Sequence, residues 1–115
     1  MYLTESIEDF IVDPTDTVYT AMQKIDRNKH RVVIVVSDNR VLGTVSDGDV
    51  RRAFLRNAIK ITPVSSIMNI NCITTLETDP ETGRTILKKE MVTVLPVTDG
   101  ENRLIGLHTA YEPEF

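Results

Sequence analysis

The chain has no tryptophan, only three phenylalanines and three tyrosines, and a single cysteine, Cys72. One cysteine cannot close an internal disulfide. No charged-then-apolar leader and no apolar run of spanning length is visible, so the expected setting is the reducing cytoplasm, away from the membrane. Surplus positive charge is missing as well: 17 acids stand against 13 Lys and Arg, a net charge of -4. A nucleic-acid surface needs the opposite balance, clustered excess cations, so nucleic acid is not an expected partner. Soft metal ligands are scarce and scattered. Cys72, His30 and His108 stand apart at no ligand spacing, and no metal site is expected. Cys72, beside Ile73 in an expected strand, reads as a small hydrophobe, and His30 follows a helix end.

What is present is enough apolar residue, 41% of 115, to bury the core of one compact unit. In "DFIVDPTDTVYTAMQKI" an apolar stub and a Pro turn precede Val18, Ala21, Met22 and Ile25 at helical spacing, with Thr17 placed as N-cap. The β-branched run "RVVIVV", the turn "SDNR" and "VLGTVS" form an expected hairpin whose first strand is largely buried. A helix follows at "DGDVRRAFLRN", with Val50, Ala53 and Phe54 on one face. "IKITPVSSIMN" then offers a short helical turn presenting Val64, Ile67 and Met68.

The order repeats. "NCITT" is a second stub, Pro80 opens a helix carrying Ile86 and Leu87, and "VTVLPV", "TDGEN" and "RLIGLHT" make a second hairpin. Val36 matches Val97 at an offset of 61 residues and Gly43 matches Gly106 at 63, so the second hairpin tip is two residues longer. Units of this size are marginal alone, and two copies are expected to pack their open sheet faces into one shared core with pseudo-twofold symmetry. The expected division is 1–60 and 61–115, with the second repeat lacking its last helix and the chain therefore a fragment of a larger protein. Two residues fit poorly. Gly83 weakens its helix by about 1 kcal/mol relative to alanine, and Pro96, without an N–H, belongs on a sheet edge or at a strand end.

Each hairpin ends on the same skeleton: Gly43, Ser46 and Asp49, then Gly106, Thr109 and Glu112. Ser46 can cap a helix whose unpaired N–H groups favour an oxyanion such as phosphate. Asp49 can accept from the two adjacent hydroxyls of a ribose. Arg51 and Arg52 add positive charge one turn on. Taken singly, Ser46 is equally well a plain cap, Asp47 and Asp49 dipole-complementing acids, and the arginines a solvated face.

With this skeleton twice in place, the sequence resembles a CBS domain pair, the Bateman module, over nearly its whole length. That family carries strand, helix, strand, strand, helix repeats and the signature G-x-x-[ST]-x-x-D, complete here in "GTVSDGD" and altered in "GLHTAYE", where Glu112 replaces the aspartate. The resemblance implies an α+β (α/β) fold of tandem CBS repeats and regulatory binding of an adenosine-type ligand such as AMP, ADP, ATP or S-adenosylmethionine. No cofactor would be required. It implies a first cleft using Thr44, Ser46 and Asp49, walled by Ile70, Asn71, Val92 and Val94, with Arg51 nearby. A second would use His108, Thr109 and Glu112, with Phe10, Arg31 and Val33 opposite. Because Arg51, Arg52 and Arg56 follow only the first acid, the first cleft is the expected site. "SDGDVRRAF" and "PVSSIMN" resemble the CBS pairs of bacterial sugar-phosphate nucleotidyltransferases and arabinose-5-phosphate isomerases, which implies a C-terminal catalytic domain. "IGLHT" leans towards the nucleotidyltransferases.

The leading expectation is thus a non-catalytic sensor that binds an adenine nucleotide and acts on a partner domain, and the family resemblance implies a homodimer. The alternative is a structural, dimerising module with vestigial clefts. A small stand-alone enzyme using Asp47, Asp49 and His108 ranks last, because spacing brings no convergent acid–base set together.

Overall fold

A computed structural model describes residues 1–111. Two three-stranded sheets are each served by both ends of the described chain or by neighbouring segments. Strands β1 (Tyr2–Leu3), β2 (Ile11–Val12), β3 (Val32–Ser37), β4 (Arg40–Ser46), β5 (Val94–Thr98) and β6 (Leu104–Thr109) assemble in the orders β2-β3-β4 and β1-β6-β5. The helices are α1 (Val18–Asn28), α2 (Asp47–Leu55) and α3 (Pro80–Glu90). None of the helices among the described residues is long and apolar enough to cross a membrane.

The helices begin where capping chemistry says they should. Thr17 Oγ1 accepts the Thr20 N–H of α1, and Asp79 accepts the Thr82 N–H of α3, with Pro80 at the first turn. Both end on a residue in the left-handed region, Lys29 (φ 58°) and Met91 (φ 57°), at matching repeat positions. Val18, Ala21 and Ile25 are buried under α1, whereas Met22 is largely exposed.

The two hairpin tips meet on the pseudo-twofold axis. Val41 N–H donates to Asn102 O at 3.1 Å and Leu104 N–H to Asn39 O at 2.8 Å, while Arg40 bridges Arg103. Asn39 and Asn102 both take φ 63°, a conformation asparagine tolerates better than most residues. The longer second tip closes around Asp99, which accepts from the Glu101 and Arg103 N–H groups and pairs with Arg103 Nε. Those bonds, chiefly from the Arg103 backbone, hold its carboxyl at about 2.

One apolar cluster joins the first repeat to the turn that follows it, around Val12, Val18, Val33, Val45 and Val64, the last drawn from the segment expected to open the second repeat. Another is shared: Phe10, Ile34 and Val41 pack with Val94, Leu104 and Leu107. The turn Val64–Ser66 buries Val64 and lays Ile67 and Met68 against the first cluster.

The stub expected over "NCITT" is reduced to a single parallel bridge, Thr75 to Val97. Thr75 N–H donates to Pro96 O and Thr98 N–H to Thr75 O. The next rung would need an N–H from residue 96 to reach the Ile73 carbonyl, and proline has none. The first repeat has Ile34 at that position and pairs both Ile11 and Val12 with β3. Pro96 lies in β5, an edge strand of its sheet, as its missing donor requires. Its effect is the loss of the bridge between Thr74 and residue 96, the counterpart of Ile11 with Ile34.

Candidate ligand-binding cleft

The corner between β4 and α2 is built for close approach. A Cβ on Gly43 would stand 2.6 Å from the Asn69 carbonyl oxygen. Glycine there lets the linker lie on β4, where Thr44 and Asn69 exchange backbone bonds of 3.1 and 2.8 Å. Gly106 does the same in the second repeat, since a Cβ would meet the Tyr2 ring at 2.7 Å and the Leu3 carbonyl at 2.8 Å. Both signature glycines are therefore crossings, where a strand accepts a segment from elsewhere in the chain.

Ser46 is the N-cap of α2. Its Oγ accepts the Asp49 N–H at 3.1 Å, while Asp49 Oδ2 accepts the Ser46 N–H at 2.9 Å and its Oγ–H at 3.0 Å. This reciprocal capping box gives the hydroxyl and acid a structural role whatever else they bind. The other oxygen, Oδ1, pairs with Arg52 Nη2 at 3.0 Å. Arg52 lies on the same helix face as Asp49, three residues on, whereas Arg51 projects elsewhere and is exposed.

Under this corner is a cavity of about 230 Å³ at the seam between the repeats. Thr44, Ser46, Asp49 and Val32 line it from the first repeat, and Val92 and Val94 from the second. Cys72 and Ile73 close it together with Asn69 and Arg52. Of the residues expected as its wall, Val92 and Val94 are there. Ile70 and Asn71 are not: both are exposed in a turn held by Asn71 N–H to Asn69 Oδ1, and Cys72 and Ile73 take their place. Burial pushes the Cys72 thiol above its ordinary range, so it is neutral near pH 7. A second cavity of about 510 Å³ adjoins, also bordered by Asp49 and Arg52, with Arg56, Asn57, Thr62 and Ser66 beyond.

The related seam at the second signature is occupied by the chain itself. Thr109 is buried, and its hydroxyl donates to Tyr111 O at 2.8 Å. The Tyr111 ring stacks on His30 at 4.2 Å, and its hydroxyl donates to Lys29 O. His30 Nε2 meets Tyr111 O at 2.9 Å. Phe10 and Val33 are fully buried, and Arg31 is exposed. Strand register places Phe10, fully buried, where the second repeat has Ile73, which is 38% exposed and lines the first cavity. Glu112 lies outside the described residues. His108 is buried rather than at a cleft surface, with Nε2 on Glu77 O at 2.7 Å and its ring against Tyr2. Asp47 and His108 do not join Asp49 around either cavity.

Two crossed strand-helix-strand-strand units, each turning on a glycine and a hydroxyl over a common seam, define a pair of CBS-type repeats. Residues 5–56 match the CBS domain family model, which identifies that segment as a CBS domain. It is 33% identical over 95 residues to the arabinose 5-phosphate isomerase GutQ of Escherichia coli O6:H1, covering 80% of this chain and 29% of the isomerase. It thus spans less than a third of that relative. Among solved structures, a CBS domain is 28% identical with a TM-score of 0.69, over 86% of this chain and 79% of that one. The cytosolic domain of the Mg2+ channel MgtE in complex with ATP is also 28% identical, with a TM-score of 0.65, over 86% and 41% respectively.

Proposed function

We propose that this chain is a regulatory module that binds one adenine nucleotide in the first seam cavity and thereby controls a catalytic domain of the same cytoplasmic protein. The observation that carries the proposal is the cavity itself. A hydroxyl-rich, acidic edge from one repeat, Thr44, Ser46 and Asp49, faces an apolar wall from the other, Val92 and Val94. That pairing suits a ribose on one side and a flat base on the other. Alone the cavity is small for a nucleotide. With its neighbour it reaches the range of about 300–1,000 Å³ usual for ligand sites. The MgtE domain with ATP supports the ligand class, and GutQ supports a sugar-phosphate enzyme as the attached domain, the isomerase rather than the nucleotidyltransferase arm. Control of that domain requires the ligand to prefer one arrangement of the repeats, or of two such modules, over another.

The direct experiment is a thermal-shift and calorimetric panel of AMP, ADP, ATP, S-adenosylmethionine and sugar nucleotides. A ligand at a hundred times its dissociation constant stabilises the fold by about 2.7 kcal/mol. Asp49→Ala should weaken that ligand about tenfold to a hundredfold, from loss of charge-assisted bonds of roughly 1.5–3 kcal/mol. It should also lower stability by about 1 kcal/mol through the broken capping box. Cys72, half-buried in the cavity wall, should alkylate more slowly when the ligand is bound.

Calorimetry should return one nucleotide per chain, because Tyr111 and Phe10 occupy the related seam. Two equivalent sites would contradict this reading.

A second reading rests on a different surface. Phe54, Ile59 and Ile61 expose apolar side chains around one shallow groove, Ile61 at 73%. Such a patch suits a homodimer contact. Silence across the whole ligand panel, with a dimer by light scattering, would favour a structural, dimerising module.

A further inference from the structure

We infer that Arg52 is a latch on Asp49 that a ligand's phosphates release, so that the sugar diol and the phosphates are recognised as one coupled event. This rests on the nucleotide reading above and concerns what that site selects. The Asp49 carboxylate is already engaged: Oδ2 holds the Ser46 N–H and hydroxyl, and Oδ1 holds Arg52. A diol brings two hydroxyl donors to a carboxylate, and the guanidinium occupies the oxygen that is otherwise open. The latched pose has a place prepared for it. Arg52 folds back over Gly48, where a Cβ would stand 3.0 Å from Nη1 and 3.1 Å from Nη2. A side chain at 48 would make the guanidinium shift by a few tenths of an ångström, and Gly48 has no positive φ.

Asp49 and Arg52 are the two side chains common to both cavities, so the ion pair lies on the boundary between them. Beyond it are Arg56, with no acidic partner within 4 Å among the described residues, and the polar side chains of Asn57, Thr62 and Ser66. Phosphates placed there offer Arg52 a more highly charged partner than one carboxylate, and a modest swing of a half-exposed side chain reaches it. Once Arg52 turns to the phosphates, Asp49 Oδ1 is free for the diol. A nucleoside without phosphates has to displace the guanidinium unaided, and an S-adenosyl ligand, cationic at its sulfur, has nothing to draw it away.

Calorimetry of wild type, Arg52→Ala and Arg56→Ala with adenosine and with ADP tests the coupling. Arg52→Ala should weaken ADP at least tenfold while leaving adenosine unchanged or tighter. Arg56→Ala should weaken ADP and leave adenosine alone. Gly48→Ala, which crowds the guanidinium and preserves its charge, should narrow the gap between the two ligands by favouring adenosine. An equal loss of both ligands in Arg52→Ala, or no loss of ADP, overturns the latch while the nucleotide site stands. Failure of wild type to bind either ligand removes the nucleotide reading, and the latch with it. Far-ultraviolet circular dichroism and melting of each variant separate lost binding from lost folding.

Discussion

Phe10→Ala is expected to lower the unfolding free energy by about 3–5 kcal/mol, the usual cost of emptying a large aromatic site in a core. Phe10 is fully buried and belongs to the cluster that the two repeats share, against Ile34 and Val41 of its own repeat and Val94, Leu104 and Leu107 of the other. It also meets His30 edge-on at 5.4 Å. Its backbone is tied by its N–H to Ile7 O, and β2 follows directly, so collapse into the cavity is restricted. Native stabilities run at roughly 0.05–0.15 kcal/mol per residue, so a chain of this length loses a large fraction of its total. Urea unfolding should show a lower midpoint at an unchanged slope. The seam cavity should weaken with it, because Val94 belongs to both the shared cluster and the cavity wall. A loss under about 1 kcal/mol would mean that the repeats do not depend on a common interior.

Gly83→Ala is the sharper case because two principles give opposite signs. Helix propensity alone predicts a gain of about 1 kcal/mol. The packing predicts a loss, since a Cβ on Gly83 would stand 2.5 Å from His108 Cε1 and closer to Nδ1 and Cγ. The ring cannot readily yield: it is 1% exposed, bonded through Nε2 to Glu77 O and backed by Tyr2 at 5.0 Å. Overpacking against such a wall costs typically 1–3 kcal/mol, and the net expectation is a loss of about 2 kcal/mol. A double-mutant cycle with His108→Ala tests the cause. The two substitutions should be non-additive by more than 1 kcal/mol, the second making room for the first. Additive losses, or a stabilised Gly83→Ala protein, would remove the contact as the reason for glycine at this position.

Gly83 also shows where sequence reasoning stops. Composition and spacing mark it as a weak point in a helix, and nothing local reveals that α3 is pressed onto β6 there. Pro96 was legible as an edge residue, because a missing N–H is a property of one residue. Its consequence, the lost bridge to Thr74, depends on which strand lies beside it. The choice of Ile70 and Asn71 as wall residues failed to anticipate the turn after Asn69. Arg52 was within reach: an arginine three residues after an acid on a helix meets it, whereas Arg51 does not. The Ser46–Asp49 capping box was likewise readable as spacing.

From residues alone one can derive the repeated order of strands and helices, the caps at Thr17 and Ser46, the helix start at Pro80, and the paired corners at Gly43 and Gly106. Each follows from periodicity or from contacts within a turn or two, where sequence separation and spatial separation coincide. Tertiary structure decided that one seam is open and the other filled. That outcome rests on Phe10 standing buried where the second repeat has Ile73 and on Tyr111 over His30, groups brought together from distant parts of the chain by strand register. Only the folded backbone sets register, so only it could make two similar corners unequal.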